Sequence, residues 1–280
     1  MWTIAFFTIW IGSWVCNITI ANNPNVNSNV KNIVPPVIFG ITIIALWEIS
    51  VFGLEVSPVI LPAPSLVIKT FISSLGILWL DFSQTVLRGA LRGLLIGSIT
   101  AFICAVAIDR SPFLTRGLLP IGKFFSALPI VGVAPIMVNW FGFDWESKAA
   151  VVVIMVFFPV LVNTVQGLQS NDKMERDLMK TYGASYFQTL IKLRLPAAMP
   201  FIFNGLKIAS TFSLIGAIVA EYFGSPTRGM GFRISTGVGN LSIDLVWAEI
   251  FVAAIVGTLL FGLMSWGERK ITFWHPSQRK

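Results

Sequence analysis

The chain has 280 residues, of which 55% are hydrophobic and 12% are charged, and its net charge is +7. Because soluble globular chains carry about a quarter charged residues, this composition excludes an ordinary soluble domain and indicates a membrane protein. The basic residues are scattered between apolar stretches, as in the cytoplasmic loops of membrane proteins, so no nucleic-acid partner is expected.

Seven apolar stretches follow one another, and at about 20 apolar residues per span the length suits roughly six or seven membrane helices. The first, residues 1–20, has no basic n-region and no clear cleavage site, so an extra span, a signal anchor and an interfacial helix all stay open. The other six are predicted membrane helices, at about 33–54, 83–108, 124–143, 149–169, 197–220 and 245–266. The predicted fold class is all-α and polytopic, with about six core transmembrane helices and an optional extra N-terminal one.

A proline segment, Leu61-Pro62-Ala63-Pro64-Ser65, separates the second stretch from the third. The prolines stop the preceding helix, and Ser65 is the predicted N-cap of a short interfacial helix.

Small residues recur every four positions in the third stretch, where they form a smooth ridge that lets helices approach closely. They are Gly89, Gly93, Gly97, Ala101 and Ala105. Packing within the subunit is the favoured interpretation, and a contact between two subunits is the alternative.

Residues 117–123 fit G-x-x-x-x-G-K, the start of a phosphate-binding loop. The next residue is Phe124, where magnesium binding needs a Ser or Thr hydroxyl, and no strand precedes the segment. We reject the motif and expect ATP to bind on another chain. Lys123 is expected to reach lipid headgroups at the inner edge.

The fourth to sixth stretches are predicted to line a pathway, because Pro129 and Pro135 interrupt the fourth and free carbonyls that need partners. The polar or amphipathic candidates at suitable depth are Pro135, Asn139, Trp140, Asn163, Asn204, Ser210 and Thr211. Each alone is more often a helix-packing contact than a ligand. Glu221, at the outer end of the sixth stretch, is a further pathway candidate and is interpreted as a gate or loop anchor.

The distribution of basic residues predicts the orientation, if the second stretch leaves the cytoplasm. The inner side then carries 13 of them: Lys31, Arg110, Arg116, Lys123, Lys173, Arg176, Lys180, Lys192, Arg194, Arg269, Lys270, Arg279 and Lys280. The outer side carries six: Lys69, Arg88, Arg92, Lys148, Arg228 and Arg233. Residues 170–194 are therefore predicted to face the cytoplasm.

This 170–194 loop predicts a short helix around 173–182 that ends at Gly183 as a C-cap, then a second helix up to Leu195. Pro196 is expected to restart the chain into the membrane. A short helix lying across the cytoplasmic face could dock into a partner's groove.

The same loop resembles the cytoplasmic signature of the binding-protein-dependent permeases: E-A-A, three residues, G, nine residues, then I-x-L-P. All spacings are kept, and the differences are Asp for Glu, Leu-Met for the two alanines and Leu for Ile. The matching residues are Asp177, Leu178, Met179, Gly183, Leu193, Leu195 and Pro196. The resemblance covers about residues 33–274. Several further segments look similar to the branch for nitrate, sulfonates, taurine, bicarbonate and riboflavin or thiamine-pyrimidine precursors: Leu61–Ser65, Phe157-Phe158-Pro159 with Asn163, Ala220-Glu221, Gly229-Met230-Gly231 and Glu268–Trp274.

The resemblance implies a type I ABC importer permease fold and a multi-pass location in the inner membrane. It also implies two permease subunits, a homodimer in the simplest case, that form one pathway among membrane lipids. ABC ATPase subunits would dock on the 173–182 helix, and an extracytoplasmic substrate-binding protein would deliver the solute. No enzyme activity, cofactor or metal is implied.

The predicted domains are an N-terminal extension (1–32), the permease domain (33–274) and a basic tail (275–280). Cys16 and Cys104 are interpreted as small apolar side chains, and His275 has no ligand partner nearby. Two other function classes are the alternatives: a membrane-embedded enzyme, for which the sequence has no acid–base or metal motif, and a secondary transporter, for which no repeated halves are visible.

Overall fold

The computed structural model describes residues 2–24, 26–111, 113–114, 116–117, 128–224 and 227–274. Every regular element in these ranges is helical, which confirms the predicted fold class. The α-helices are α1 (Trp2–Asn22), α2 (Ser28–Gly53), α3 (Pro64–Ser73), α4 (Leu75–Phe82), α5 (Leu91–Arg110), α6 (Ile130–Phe141), α7 (Trp145–Gln169), α8 (Lys173–Thr181), α9 (Tyr186–Thr189), α10 (Leu195–Gly224), α11 (Met230–Gly239) and α12 (Ile243–Ile271). Two π-helical segments, Ser83–Ala90 and Leu190–Arg194, join α4 to α5 and α9 to α10.

Six helical runs in these ranges are long and apolar enough to cross a membrane. They are Trp2–Asn22, Val30–Gly53, Leu75–Arg110, Trp145–Gln169, Tyr186–Gly224 and Ile243–Ile271. The first apolar stretch is thus a helix of spanning length. The described part of the predicted fourth span is the shorter α6, while residues 118–127, including Lys123 and most of the rejected phosphate-loop motif, lie outside the described residues.

The chain forms two compact units, of which the first comprises residues 1–75 and 236–250. Within it, α1 packs along α2, and Trp2 stacks on Phe52 with ring centroids 6.4 Å apart. The prediction that Ser65 caps α3 is wrong. Ala63 is the N-cap and Pro64 the first helical residue, where proline's fixed φ and missing N–H suit a helix start. Ser65 instead donates from its backbone N–H and its hydroxyl to the Glu48 carboxylate, at 3.0 and 2.6 Å.

The second unit comprises residues 76–235 and 251–280, and its centre is α7, which packs against both α5 and α10. The small-residue ridge of α5 faces α7 within the subunit, as the favoured interpretation predicted. A Cβ atom at Gly93 would lie 2.5 Å from the Val152 Cβ, and one at Gly97 would overlap the Val156 side chain. Glycine at these two positions therefore lets the helix axes approach closely.

Gly97→Ala is expected to destabilise the chain by about 1–3 kcal/mol, because the added methyl group overpacks the α5–α7 contact. The matched control is Gly262→Ala, since a Cβ atom at Gly262 on α12 meets no atom within 4 Å. That change should be neutral or slightly stabilising, since alanine is the better helix former. Thermal unfolding of the purified chain in detergent measures both, and equal midpoints would contradict the close packing.

Proline positions differ from the sequence-based expectation. Pro129 is the N-cap of α6 in an extended conformation, but Pro135 lies inside a continuous α6 and does not interrupt it. Likewise Pro196 does not restart the chain, because the helical run continues from Tyr186 to Gly224. The π-helical segment just before Pro196, in which the Leu195 N–H bonds to the Leu190 carbonyl, widens the turn. We attribute the continuity to the room this leaves for the proline ring.

Candidate functional site

The 170–194 loop contains α8, whose ends are both capped by local hydrogen bonds. At its start, Asp172 and Glu175 form a capping box, in which the Glu175 carboxylate accepts the Asp172 backbone N–H at 3.3 Å. At its end, the Ala184 N–H bonds to the Met179 carbonyl and the Gly183 N–H to the Lys180 carbonyl. This pair of bonds is a Schellman motif, and Gly183 has the positive φ of 70° that the motif requires. The predicted C-cap is confirmed.

One face of α8 presents large apolar side chains to the exterior. Met174 is 82% exposed, Leu178 56% and Tyr182, immediately after the helix, 78%. Their spacing of four residues places them on one side of the helix, and no residue of α8 is buried. Of the other signature residues, Asp177 is exposed and Met179 half-buried. The arrangement suits a helix that docks into a groove on another protein.

The C-terminal side of this loop is fixed to the core by Arg194. Its guanidinium donates two hydrogen bonds to the Asp109 carboxylate, at 2.7 and 2.5 Å, and two to the Leu168 carbonyl, at 3.0 and 2.8 Å. The Tyr186 hydroxyl also donates to Asp109, at 3.0 Å. Both charged side chains are nearly buried, at 11% and 2% exposure. These bonds join the ends of α5 and α7 to the segment that follows α8.

The last part of the signature lies on both sides of Arg194 and comprises Leu193, Leu195 and Pro196. Leu195 packs against a buried cluster that includes Leu168 and Leu190, while Pro196 is exposed. The sequence-based analysis identified these three residues but missed Asp109 and Arg194. No short-range pattern signals this ion pair, because its two partners are 85 residues apart in the sequence.

Of the predicted pathway residues, the structure brings Asn163 and Asn204 together. The Asn204 side-chain amide donates to the Asn163 Oδ1 at 3.0 Å, and the Asn163 amide donates to the Pro159 carbonyl at 2.8 Å. Asn204 is exposed, as is Thr211 on the same helix, α10. An exposed strip of α10 therefore contains these two polar side chains together with the exposed Ile208 and Ile215.

The remaining pathway candidates lie in other surroundings. Ser210 is fully buried and its hydroxyl donates to the Lys207 carbonyl within α10, which is a helix-packing role. Pro135, Asn139 and Trp140 are exposed on α6, which packs against α7 and α10. Trp140 lines an apolar groove between α5, α6 and α7.

Glu221 holds the segment that leads into α11. Its carboxylate accepts hydrogen bonds from the Thr85 hydroxyl at 2.6 Å and the Gly231 N–H at 3.2 Å. Thr85 in turn accepts the Met230 N–H at 2.8 Å. Glu221 is 1% exposed, and a Cβ atom at Gly231 would overlap the Ile218 carbonyl. This geometry supports the loop-anchor interpretation of Glu221.

Two further buried charges, both missed as site residues, secure the same end of the unit. Asp81 accepts the Gly229 N–H at 2.7 Å and pairs with Arg233 at 2.8 Å. Lys148, counted from the sequence as a loop cation, is 1% exposed and donates to the Phe143 and Gly224 carbonyls, at 2.5 and 2.7 Å. It thereby satisfies a carbonyl at the C-terminal end of α10, where a cation also interacts favourably with the helix dipole.

Comparisons with known proteins agree with this arrangement. Residues 93–273 match the family described as "Binding-protein-dependent transport system inner membrane component". A probable ABC transporter permease protein of Haemophilus influenzae is 31% identical over 83% of this chain and 94% of its own length. The formylaminopyrimidine transport permease protein of Halalkalibacterium halodurans is 28% identical over 87% and 96%, and the taurine transport system permease protein of Escherichia coli is 30% identical over 82% and 85%.

Proposed function

Because the chain belongs to the family of binding-protein-dependent transport system inner membrane components, we propose that it forms the translocation pathway of an ATP-driven importer and is driven by separate ATPase subunits docked on α8. Family membership makes it a multi-pass inner-membrane transport protein and not an enzyme. The proposal therefore concerns the partner, the coupling element and the solute.

The exposed apolar face of α8, in a loop whose C-terminal side is bonded to α5 and α7 through Arg194, is the observation that carries the coupling proposal. These exposed apolar side chains do not contribute to stability while they face water, and a partner's groove would bury them. They are Met174, Leu178 and Tyr182. The Arg194–Asp109 pair would transmit force from that groove to α5 and α10, because charge-assisted bonds of this geometry hold the loop and the spans as one body.

For the solute, we propose a small anion of the nitrate, sulfonate or bicarbonate type, or a vitamin precursor. Relatives of this chain are named for taurine and for formylaminopyrimidine, and both molecules are small and polar. The exposed strip with Asn204 and Thr211 is the pathway surface we propose, with Asn163 holding Asn204 in place. A second copy of the chain would complete the pathway.

We propose that an extracytoplasmic binding protein delivers the solute at the end of the unit where Glu221 and Asp81 fix the entry to α11. The Gly229 and Gly231 N–H groups there are bonded to the buried Asp81 and Glu221 carboxylates, so we expect this loop to keep its shape when a partner binds. Alternating access needs such rigid ends on either side of the moving pathway.

Leu178→Asp tests the coupling proposal. We expect the ATPase subunit that co-purifies with the unchanged chain from native membranes to be recovered at least about tenfold less, because a charged side chain would be buried in the groove. The matched control is Lys180→Asp, which places the same side chain on the opposite side of α8 at a position that is mostly exposed. Uptake of a panel of sulfonates, bicarbonate, nitrate and pyrimidine precursors into vesicles should fall in parallel.

The alternatives predict different results. A secondary transporter would carry solute as purified chain alone, driven by a proton or sodium gradient without ATP. ATP-independent uptake by the purified chain, or full ATPase recovery with Leu178→Asp, would contradict the proposed function.

A further inference from the structure

Two arginines lie on one side of the helix formed by the Ser83–Ala90 segment and α5, at the edge of the membrane. The 20 residues of α5 cover about 30 Å, the thickness of the hydrocarbon core, so Arg92 and Arg110 lie near opposite edges. Arg88 is one turn further out than Arg92, and both side chains are exposed. In the orientation proposed above, this is the noncytoplasmic edge.

The two arginines are oriented by neutral neighbours. The Arg92 guanidinium lies 4.6 Å from the centroid of the Trp145 ring, and the Arg88 Nη1 donates to the Gln84 side chain at 3.4 Å. Stacking on the indole occupies one face of the Arg92 guanidinium and leaves its N–H edges available as donors. Within the described residues, no carboxylate lies within ion-pair distance of either arginine.

An apolar groove begins directly beside this pair and extends into the membrane. Ile96, one turn below Arg92, lines it together with Trp140, Phe141 and Ile154. Trp145 is part of the groove wall and of the Arg92 contact at once. Among the described residues that line the groove, the charged one is Glu146, which is exposed beside Trp145.

We propose that this groove binds one zwitterionic phospholipid with an amine-bearing headgroup, such as phosphatidylethanolamine. Its phosphate accepts hydrogen bonds from Arg92 and Arg88, its ammonium group lies near Glu146, and one acyl chain fills the groove along Ile96 and Ile154. Charge complementarity favours this occupant. Two exposed cations, an exposed carboxylate next to Trp145 and an apolar groove adjoin one another on this surface, and they match the phosphate, amine and acyl chain of such a lipid in charge and polarity.

A second copy of the chain would be a poorer occupant, since it would have to present an acidic group to the arginines and an apolar helix to the groove at the correct depths. The lipid site is separate from the α8 face and from the Asn204 strip. It therefore stands whatever solute the protein carries, and the ATPase experiment above does not decide it.

Native mass spectrometry of the delipidated chain, titrated with phosphatidylethanolamine or phosphatidylglycerol, tests the proposal. We expect one tight phosphatidylethanolamine adduct, with affinity lowered about tenfold or more in R88Q/R92Q, because charge-assisted hydrogen bonds to the phosphate are lost. Glu146→Gln should remove the preference for the amine headgroup while retaining phosphate-dependent binding. The matched control is Lys69→Gln, at an exposed cation on α3.

Thermal unfolding in detergent establishes that each variant is folded before its affinity is compared. Equal phosphatidylethanolamine binding by folded R88Q/R92Q would overturn the proposal. So would a preference for phosphatidylglycerol in the unchanged chain, or a dimer that excludes lipid from the groove and dissociates when Ile96 is changed to Asp.

Discussion

Replacing Arg194 by leucine is expected to abolish ATP-dependent uptake and to lower the stability of the chain by about 3–5 kcal/mol. The change leaves the Asp109 carboxylate, 2% exposed, without its cationic partner, and an uncompensated buried charge is strongly destabilising. It also removes two hydrogen bonds to the Leu168 carbonyl. Thermal unfolding in detergent and uptake into vesicles measure the two effects.

The matched control for this change is Lys180→Ala, which breaks the exposed pair between Lys180 and Asp177. That pair has side-chain exposures of 78% and 52%, and exposed pairs contribute only about 0–1 kcal/mol. We therefore expect near-normal stability and uptake. If the two variants behaved alike, Arg194 would not be the attachment of the loop, and force transmission through it would have to be abandoned.

Gly183→Val is expected to uncouple ATP hydrolysis from uptake, with uptake reduced by about tenfold or more while the bound ATPase remains active. The φ of 70° at this position disfavours a side chain with a Cβ atom, most strongly a β-branched one. A Cβ atom would meet no neighbour within 4 Å, so the effect would come from the backbone alone. A tenfold reduction in uptake corresponds to a free-energy change of about 1.4 kcal/mol. Distorting the Schellman motif would displace α8 from its proposed docked orientation.

Gly183→Asn is the discriminating control, since asparagine adopts the left-handed conformation far more readily than valine. It adds a side chain of similar size in the same open space, so near-normal coupling is expected. The measurement is the ratio of solute imported to ATP hydrolysed in proteoliposomes. A well-inserted Gly183→Val variant with a normal ratio would rule out the proposed coupling element.

Several features of this protein followed from short-range patterns. Apolar stretches of spanning length predicted the helical, polytopic fold, because a membrane allows few other ways to satisfy the backbone. The end of α8 at Gly183 followed from the glycine after a short polar helix, and the structure has that cap. The four-residue repeat of small residues correctly predicted close packing of α5 within the subunit.

Proline shows where short-range rules fail. The sequence predicts that Pro135 interrupts the fourth span and that Pro196 restarts the chain into the membrane, yet both prolines lie within continuous helical runs. Sequence preferences for proline describe an isolated helix, whereas at Pro196 a preceding π-helical segment changes the local geometry. The sequence contains no short-range signal for that segment.

The amino-acid sequence by itself determined the membrane class, the helical fold, the loop signature and the position of the α8 cap. These depend on composition, periodicity and backbone conformation within a few residues. Only the tertiary structure decided which polar groups meet: Arg194 with Asp109, 85 residues away, and Glu221 with Thr85, 136 residues away. The physical reason is that buried polar groups in packed helices must find partners across helix contacts, and those partners are set by which spans pack together and not by the neighbouring sequence.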